Sequence, residues 1–153
     1  MNLIIDEGNT SIKVALFKKG IQTFFLSFAK DGFQESFLSK VPLNEVTHCI
    51  IASVVTEVKE RFSFLEQLLP DVLYLTAETP VPFVNKYATP HSLGIDRLAL
   101  VAGAVTRFPN RNALIIDAGT CITFDIVTDR KEYLGGAIAP GIAMRLKACL
   151  LYT

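Results

Sequence analysis

At 153 residues the chain is long enough for an ordinary domain with a real core, and half of it is hydrophobic against 20% charged, a balance that excludes a disordered chain. Fifteen basic and fifteen acidic residues cancel, so overall charge gives no reason to expect nucleic acid or an anionic membrane as a partner. No apolar run approaches a membrane span and no basic, signal-like region precedes the first strand, so a cytoplasmic location is expected.

Taken in order, Leu3, Ile4 and Ile5 form an uninterrupted apolar run that predicts a buried strand, and Ile12, Val14 and Leu16 alternate as its hairpin partner. Between them lies Asp6-Glu7-Gly8-Asn9-Thr10. Two readings stand for this turn. Gly and Asn are common hairpin residues, but Gly8 also allows close backbone approach to a ligand, and Asn9, Thr10 and Ser11 offer amide and hydroxyl groups to phosphate oxygens. The Asp6 carboxylate at the end of a buried strand suits magnesium, with the cation or a water standing between it and any phosphate.

A tight turn at Lys18-Lys19-Gly20 leads to a third strand over residues 21–28, completing an antiparallel meander. Phe33, Phe37, Leu38 and Val41 have helical spacing, and Pro42 stops that helix. Residues 47–54 predict a buried strand, residues 57–69 a helix with Val58, Phe62, Leu65 and Leu69 on one face, and residues 71–75 another strand. A meander followed by strand, helix, strand predicts an α/β fold with a mixed sheet. Pro80 and Pro82 predict a loop running to Pro90, after which Ile95, Leu98, Ala102 and Val105 mark a helical face with Asp96 and Arg97 in its first turn.

Leu114-Ile115-Ile116-Asp117-Ala118-Gly119 then repeats the pattern of residues 3–8 and also runs into an alternating strand, Ile122, Phe124, Ile126. Two such hairpins imply two related halves, expected to face each other with nucleotide between them. The first lobe is expected over residues 1–111 and the start of a second over residues 112–153. Tyr133 to Ile138 predict a returning strand, and Ile142, Leu146, Cys149 and Leu150 a helix whose apolar side faces the core. A second half that copies the first should continue with further elements, so truncation is expected.

Cys49, Cys121 and Cys149 stand singly in apolar sequence, as reduced core thiols do, and His48 and His91 lack metal-ligand spacing.

Four stretches in order carry a family resemblance: Asp6-Glu7-Gly8-Asn9-Thr10; Tyr87-Ala88-Thr89-Pro90 leading to Leu93-Gly94-Ile95-Asp96-Arg97; Asp117-Ala118-Gly119-Thr120; and Gly135-Gly136-Ala137-Ile138-Ala139-Pro140-Gly141. The sequence resembles the type III pantothenate kinases of the acetate kinase, sugar kinase, Hsp70 and actin superfamily. The resemblance implies an actin-like (ribonuclease H-like) fold and ATP-dependent phosphorylation of pantothenate, the first step towards coenzyme A, in a homodimer. By position it implies a nucleotide loop of Asp6, Glu7, Gly8, Asn9, Thr10, Ser11, Ile12 and Lys13, with Thr120 also contacting ATP. Tyr87, Gly94, Ile95, Asp96 and Arg97 would hold pantothenate, and Asp117 would serve a monovalent cation, potassium or ammonium. Asp96 would be the base.

Chemistry agrees with those roles without requiring them. Phosphoryl transfer needs alignment, charge neutralisation and a proton acceptor, and Asp96 on a first helical turn can accept from an alcohol or simply start a helix. Arg97 has the fork that grips a carboxylate, or forms a surface salt bridge. Tyr87 bonds the substrate or packs under the proline loop, Lys13 reaches a phosphate or lines a solvated edge, and Gly135-Gly136 is a bend or a point of close approach. Glu7 departs from the apolar residue usual in the family motif and puts a charge near the phosphates; strand alternation should turn it away from Asp6, leaving function weakened or unchanged. A regulatory protein retaining the fold, or another small-molecule kinase of the superfamily, is the alternative reading.

Overall fold

The computed structural model describes residues 1–55 and 58–151, the side chain of residue 151 excepted. The chain forms two compact units, residues 1–76 and 77–153, each taken by itself below.

In the first unit, burial alternates along β1 (Asn2–Glu7), with Leu3, Ile5 and Glu7 inside and Asn2, Ile4 and Asp6 on the other face. β1 pairs antiparallel with β2 (Ile12–Lys18), which pairs with β3 (Ile21–Phe28). On its other side β1 runs parallel to β4 (His48–Ser53), and β4 to β5 (Val72–Tyr74). The order β3-β2-β1-β4-β5 is the mixed sheet, meander then βαβ, that the sequence predicts. Positive φ at both Lys19 (52°) and Gly20 (80°) closes the β2–β3 hairpin in the hand that matches strand twist.

The parallel crossover passes through α2 (Val58–Leu68); Glu57, expected to begin that helix, lies outside the described residues. α1 (Phe33–Lys40) follows β3. Their apolar positions meet the buried sheet face in an aromatic cluster: Phe33 lies 5.3 Å from Phe37 and 5.5 Å from both Phe28 and Phe62, ring centre to ring centre, over Leu3, Ile5, Val14 and Leu65. Cys49 belongs to this core, and burial pushes its thiol pKa up to about 12, leaving it an unreactive hydrophobe. The expectation of core thiols holds only there: Cys121 is half-buried and Cys149 exposed.

In the second unit β7 (Ala113–Ala118), β8 (Cys121–Val127) and β9 (Glu132–Pro140) repeat the meander. The expected loop over residues 79–90 contains a two-residue strand, β6 (Val84–Asn85), parallel to β9, because backbone donors resume once the prolines end. The amides of Val84 and Lys86 donate to the carbonyls of Lys131 and Tyr133 at 2.8 and 2.9 Å. α3 (Ile95–Arg107) buries Arg97, Leu98, Val101 and Val105 against β7 and β8, so its inner face is turned from the expected one: Ile95 and Ala102 are only half-buried. Through β6 and α3 residues 77–111 pack with the second sheet, and the compact units divide at residue 76, upstream of the repeat that set the expected boundary at 111–112.

α4 (Ile142–Leu151) forms as predicted, but Ile142, Leu146, Cys149 and Leu150 are exposed instead of facing a core. Spacing fixes which residues share a helix face, not whether another element covers it. Leu114 and Ile116 of β7 show the same thing, 60% and 57% exposed where their counterparts Leu3 and Ile5 are fully buried under α1 and α2. Among the described residues no helix is long and apolar enough to cross a membrane.

Candidate active site

Each Asp-x-Gly motif is a hairpin turn delivered by the first strand of its meander. In the first, the register pairs Glu7 with Ile12 and leaves residues 8–11 as the loop, closed by the Gly8 amide donating to the Ser11 carbonyl at 3.1 Å. Asn9 and Thr10 are exposed and Ser11 half-buried. In the second, Ala118 pairs with Ile122, so the loop is residues 119–121, one residue shorter, closed by the Gly119 amide donating to the Cys121 carbonyl at 2.8 Å. Thr120 and Asp117 are exposed. The Thr120 carbonyl accepts from the Gly141 amide at 3.0 Å, which fastens this loop to the start of α4.

Asp6 presents a partly exposed carboxylate, with the Lys13 ammonium 3.6 Å away. That donor type fits magnesium, which is commonly held by one or two carboxylates together with substrate phosphates. Among the described residues no group of three or more His, Cys, Asp or Glu could hold a metal. Any ion at Asp6 or Asp117 therefore needs further oxygens, from backbone, hydroxyl or amide groups, ligand or water, to complete its shell.

Glu7 and Ile12 of the expected nucleotide loop do not turn their side chains towards it. Both side chains are fully buried, and the backbone carbonyl of Glu7 accepts from the Val54 amide at 3.1 Å. Glu7 does point away from Asp6, as alternation requires, but its charge enters the core and does not lie among phosphates. Ser53 Oγ donates to Glu7 Oε2 at 2.8 Å, while Arg61 Nε and Lys30 Nζ approach Oε1 at 3.3 and 3.7 Å. Oε1 is buried without a hydrogen bond. A buried carboxylate compensated this incompletely is weak evidence of stabilisation, and Glu7→Val restores the apolar side chain that this strand face favours. Because Lys30 and Arg61 stay behind but are 23% and 38% exposed and can turn to water, we expect Glu7→Val to leave stability within about 1 kcal/mol of the parent in a urea titration.

In the second unit the predicted substrate residues come together around an unpredicted partner. Gly94 caps α3, and Asp96 on the first turn is half-buried, its Oδ1 accepting from the Arg97 amide at 2.8 Å. A Cβ on Gly94 would collide with that same oxygen, so glycine lets the Asp96 carboxylate fold back over the helix start. Arg97 is not at the surface: it is 4% exposed and directed at the fully buried Asp125 of β8. Nε lies 3.0 and 3.1 Å from the two carboxylate oxygens and Nη2 2.6 Å from Oδ1. The expected fork for a substrate carboxylate is thus already occupied from its Nε and Nη2 edge. Hydrogen bonding to Asp125 raises the Arg97 pKa still further, outweighing burial.

Tyr133, also fully buried, donates from its hydroxyl to Asp125 Oδ1 at 2.6 Å, and burial followed by this bond raises its pKa. Tyr87 stacks on Tyr133 with centroids 6.0 Å apart and planes 21° from parallel, and the Arg97 guanidinium carbon lies 5.6 Å from the Tyr87 ring centre. Gly135 completes the packing: it lies in β9, not in a bend, at φ +99°, and a Cβ there would come within 2.8 Å of Tyr87. Asp125 and Tyr133 are the members that the sequence reading missed. The available signal was an Arg beside Leu98 on an apolar helix face, since a buried cation requires a carboxylate, together with a charge in the middle of strand β8.

The profile of the family described as type III pantothenate kinase matches residues 2–153. A type III pantothenate kinase from Christiangramia forsetii is 46% identical over 156 aligned residues, covering 100% of this chain and 63% of the relative. One from Flavobacterium johnsoniae is 43% identical with the same coverage. The chain thus spans 63% of the length of these relatives. A solved structure from Campylobacter jejuni, of a protein described as a Baf family transcriptional activator, shares the fold with a TM-score of 0.63 at 24% identity, over 99% of this chain and 60% of that one. With its family profile matched from residue 2 to residue 153, the chain belongs to the type III pantothenate kinase family.

Proposed function

We propose that this chain serves the ATP-dependent phosphorylation of pantothenate to 4'-phosphopantothenate, the first step of coenzyme A synthesis. Family membership over residues 2–153 supports the substrate, and the observation that carries the chemistry is the half-buried Asp96 carboxylate turned back over the α3 start beside Gly94. In this reading Asp96 receives the proton of the attacking hydroxyl, and Tyr87 and residues 94–97 hold pantothenate. Asp125 takes two of the five N–H groups of Arg97 and Tyr87 bonds the guanidinium as well, so at most two are left for substrate.

Asp6, Gly8, Asn9, Thr10, Ser11, Lys13 and Thr120 would bind the nucleotide, with Asp6 meeting magnesium, directly or through water, and Asp117 a potassium or ammonium ion. Gly8 and Gly119 support the nucleotide assignment. A Cβ at either would find only ordinary contacts, 3.7 Å from the Ser11 carbonyl and 3.8 Å from the Cys121 carbonyl, so the chain's own packing does not demand glycine there. Close approach of phosphate does. Two lobes marked by the repeat, a homodimer and a cytoplasmic location belong to the same proposal.

The test is to incubate the full-length protein with pantothenate, ATP, magnesium and potassium and to follow phosphopantothenate by mass. Formation that depends on all components supports the proposal; a folded protein that makes none favours a regulatory role.

Gly8→Ala separates binding from folding at this loop. We expect an unfolding midpoint within about 0.5 kcal/mol of the parent, the range of surface substitutions, and weaker ATP binding by calorimetry.

A further inference from the structure

We propose that Asp125 and Tyr133 are positioning residues for pantothenate, holding Tyr87 and the start of α3 in the geometry that the substrate meets. The inference rests on the pantothenate reading above.

Three separate segments converge on one carboxylate. Arg97 comes from the first turn of α3, Tyr133 from β9, and Tyr87 from the segment after β6 by stacking on Tyr133. Asp125 sits on β8, flanked by β7 and β9 and paired with Ile115 and Gly136, so its backbone is held in the ladder on both sides and is the anchor these segments share. Oδ1 alone accepts from Nε, Nη2 and the tyrosine hydroxyl. Asp125 and Tyr133 are fully buried and Arg97 is 4% exposed, so substrate does not reach the first two and meets at most one edge of the guanidinium. What these two residues govern is the direction of Arg97 and the ring plane of Tyr87. Since Asp96 is adjacent to Arg97 and bonded to its amide, the same anchor sets where the proposed base stands.

The geometry also gives Arg97 a role different from a plain carboxylate clamp. Two of its five N–H groups are fixed on Asp125, which orients the guanidinium plane before substrate arrives. A substrate carboxylate would then meet a cation whose orientation is already set.

Tyr133→Phe removes one hydroxyl and leaves the ring that Tyr87 stacks on. We expect it to raise KM for pantothenate roughly tenfold, as loss of a hydrogen bond to a charged group does, while KM for ATP changes less than about twofold. Asp125→Asn, which keeps the shape and removes the charge, should lower kcat/KM for pantothenate by roughly a hundredfold with the same sparing of ATP. Both are measured in the full-length protein, with circular dichroism to confirm folding. A merely structural role would lower the unfolding midpoint and leave both KM values of the folded enzyme at parental levels, and that result overturns the inference. Should Asp125→Asn not fold, Tyr133→Phe decides alone. A parent protein that turns over no pantothenate overturns this inference and the reading beneath it together; an active parent with unchanged variants overturns this inference only.

Discussion

Asp96→Asn is expected to lower turnover of pantothenate by about 10²–10⁴-fold, the usual contribution of a positioned general base, while leaving ATP affinity unchanged. The substitution is well matched to the local structure. An asparagine Oδ1 can accept from the Arg97 amide as the carboxylate does at 2.8 Å, and no atom is added near Gly94, so the helix start keeps its form. What disappears is the capacity to take a proton. Steady-state kinetics with each substrate varied, together with calorimetric ATP binding, read the two effects separately. A fall in kcat without a change in ATP affinity assigns Asp96 to the chemical step; equal losses in both would show that it merely organises the site, and a parental kcat would remove it from the mechanism.

How much of this was legible beforehand depends on what each signal encodes. Period-two burial along residues 2–7 and the turn at Lys19-Gly20 encode local geometry, and both hairpins and the βαβ unit formed where expected. Asp96 on the first turn of α3 was legible for the same reason. Partnerships over long sequence separations were not. Glu7 reads as a charge beside a phosphate loop, yet alternation sends it to Ser53, Lys30 and Arg61, residues that only the folded sheet brings near. Arg97 reads as a free fork until β8 supplies Asp125. In strand β8, Thr123 and Asp125 alternate with apolar neighbours and so look solvent-facing; α3 covers that side instead and buries both. The opposite error arose at Leu114, Ile116 and the apolar positions of α4, where hydrophobic patterning is present without an element over it.

Gly136→Ala is expected to be the most destabilising single-methyl change in the second unit, by roughly 3 kcal/mol or more, at or beyond the upper end of ordinary overpacking. Gly136 stands opposite Asp125 in the β8–β9 ladder, and a Cβ there would run into the carbonyl oxygen of Phe124 and lie 2.9 Å from the Cα of Asp125. Flexible side chains can yield to an added methyl group, but these atoms are backbone of a strand paired on both sides. Relief therefore requires the ladder to open where Asp125 anchors Arg97 and Tyr133. Denaturant unfolding and amide hydrogen exchange give the reading: protection should fall along β8 and β9, and the substrate site should fail with it, because the opened segment carries its anchor. Normal protection and stability in Gly136→Ala would mean that the two strands can separate locally at no cost, and would weaken the claim that β8 is the rigid element on which the site is built.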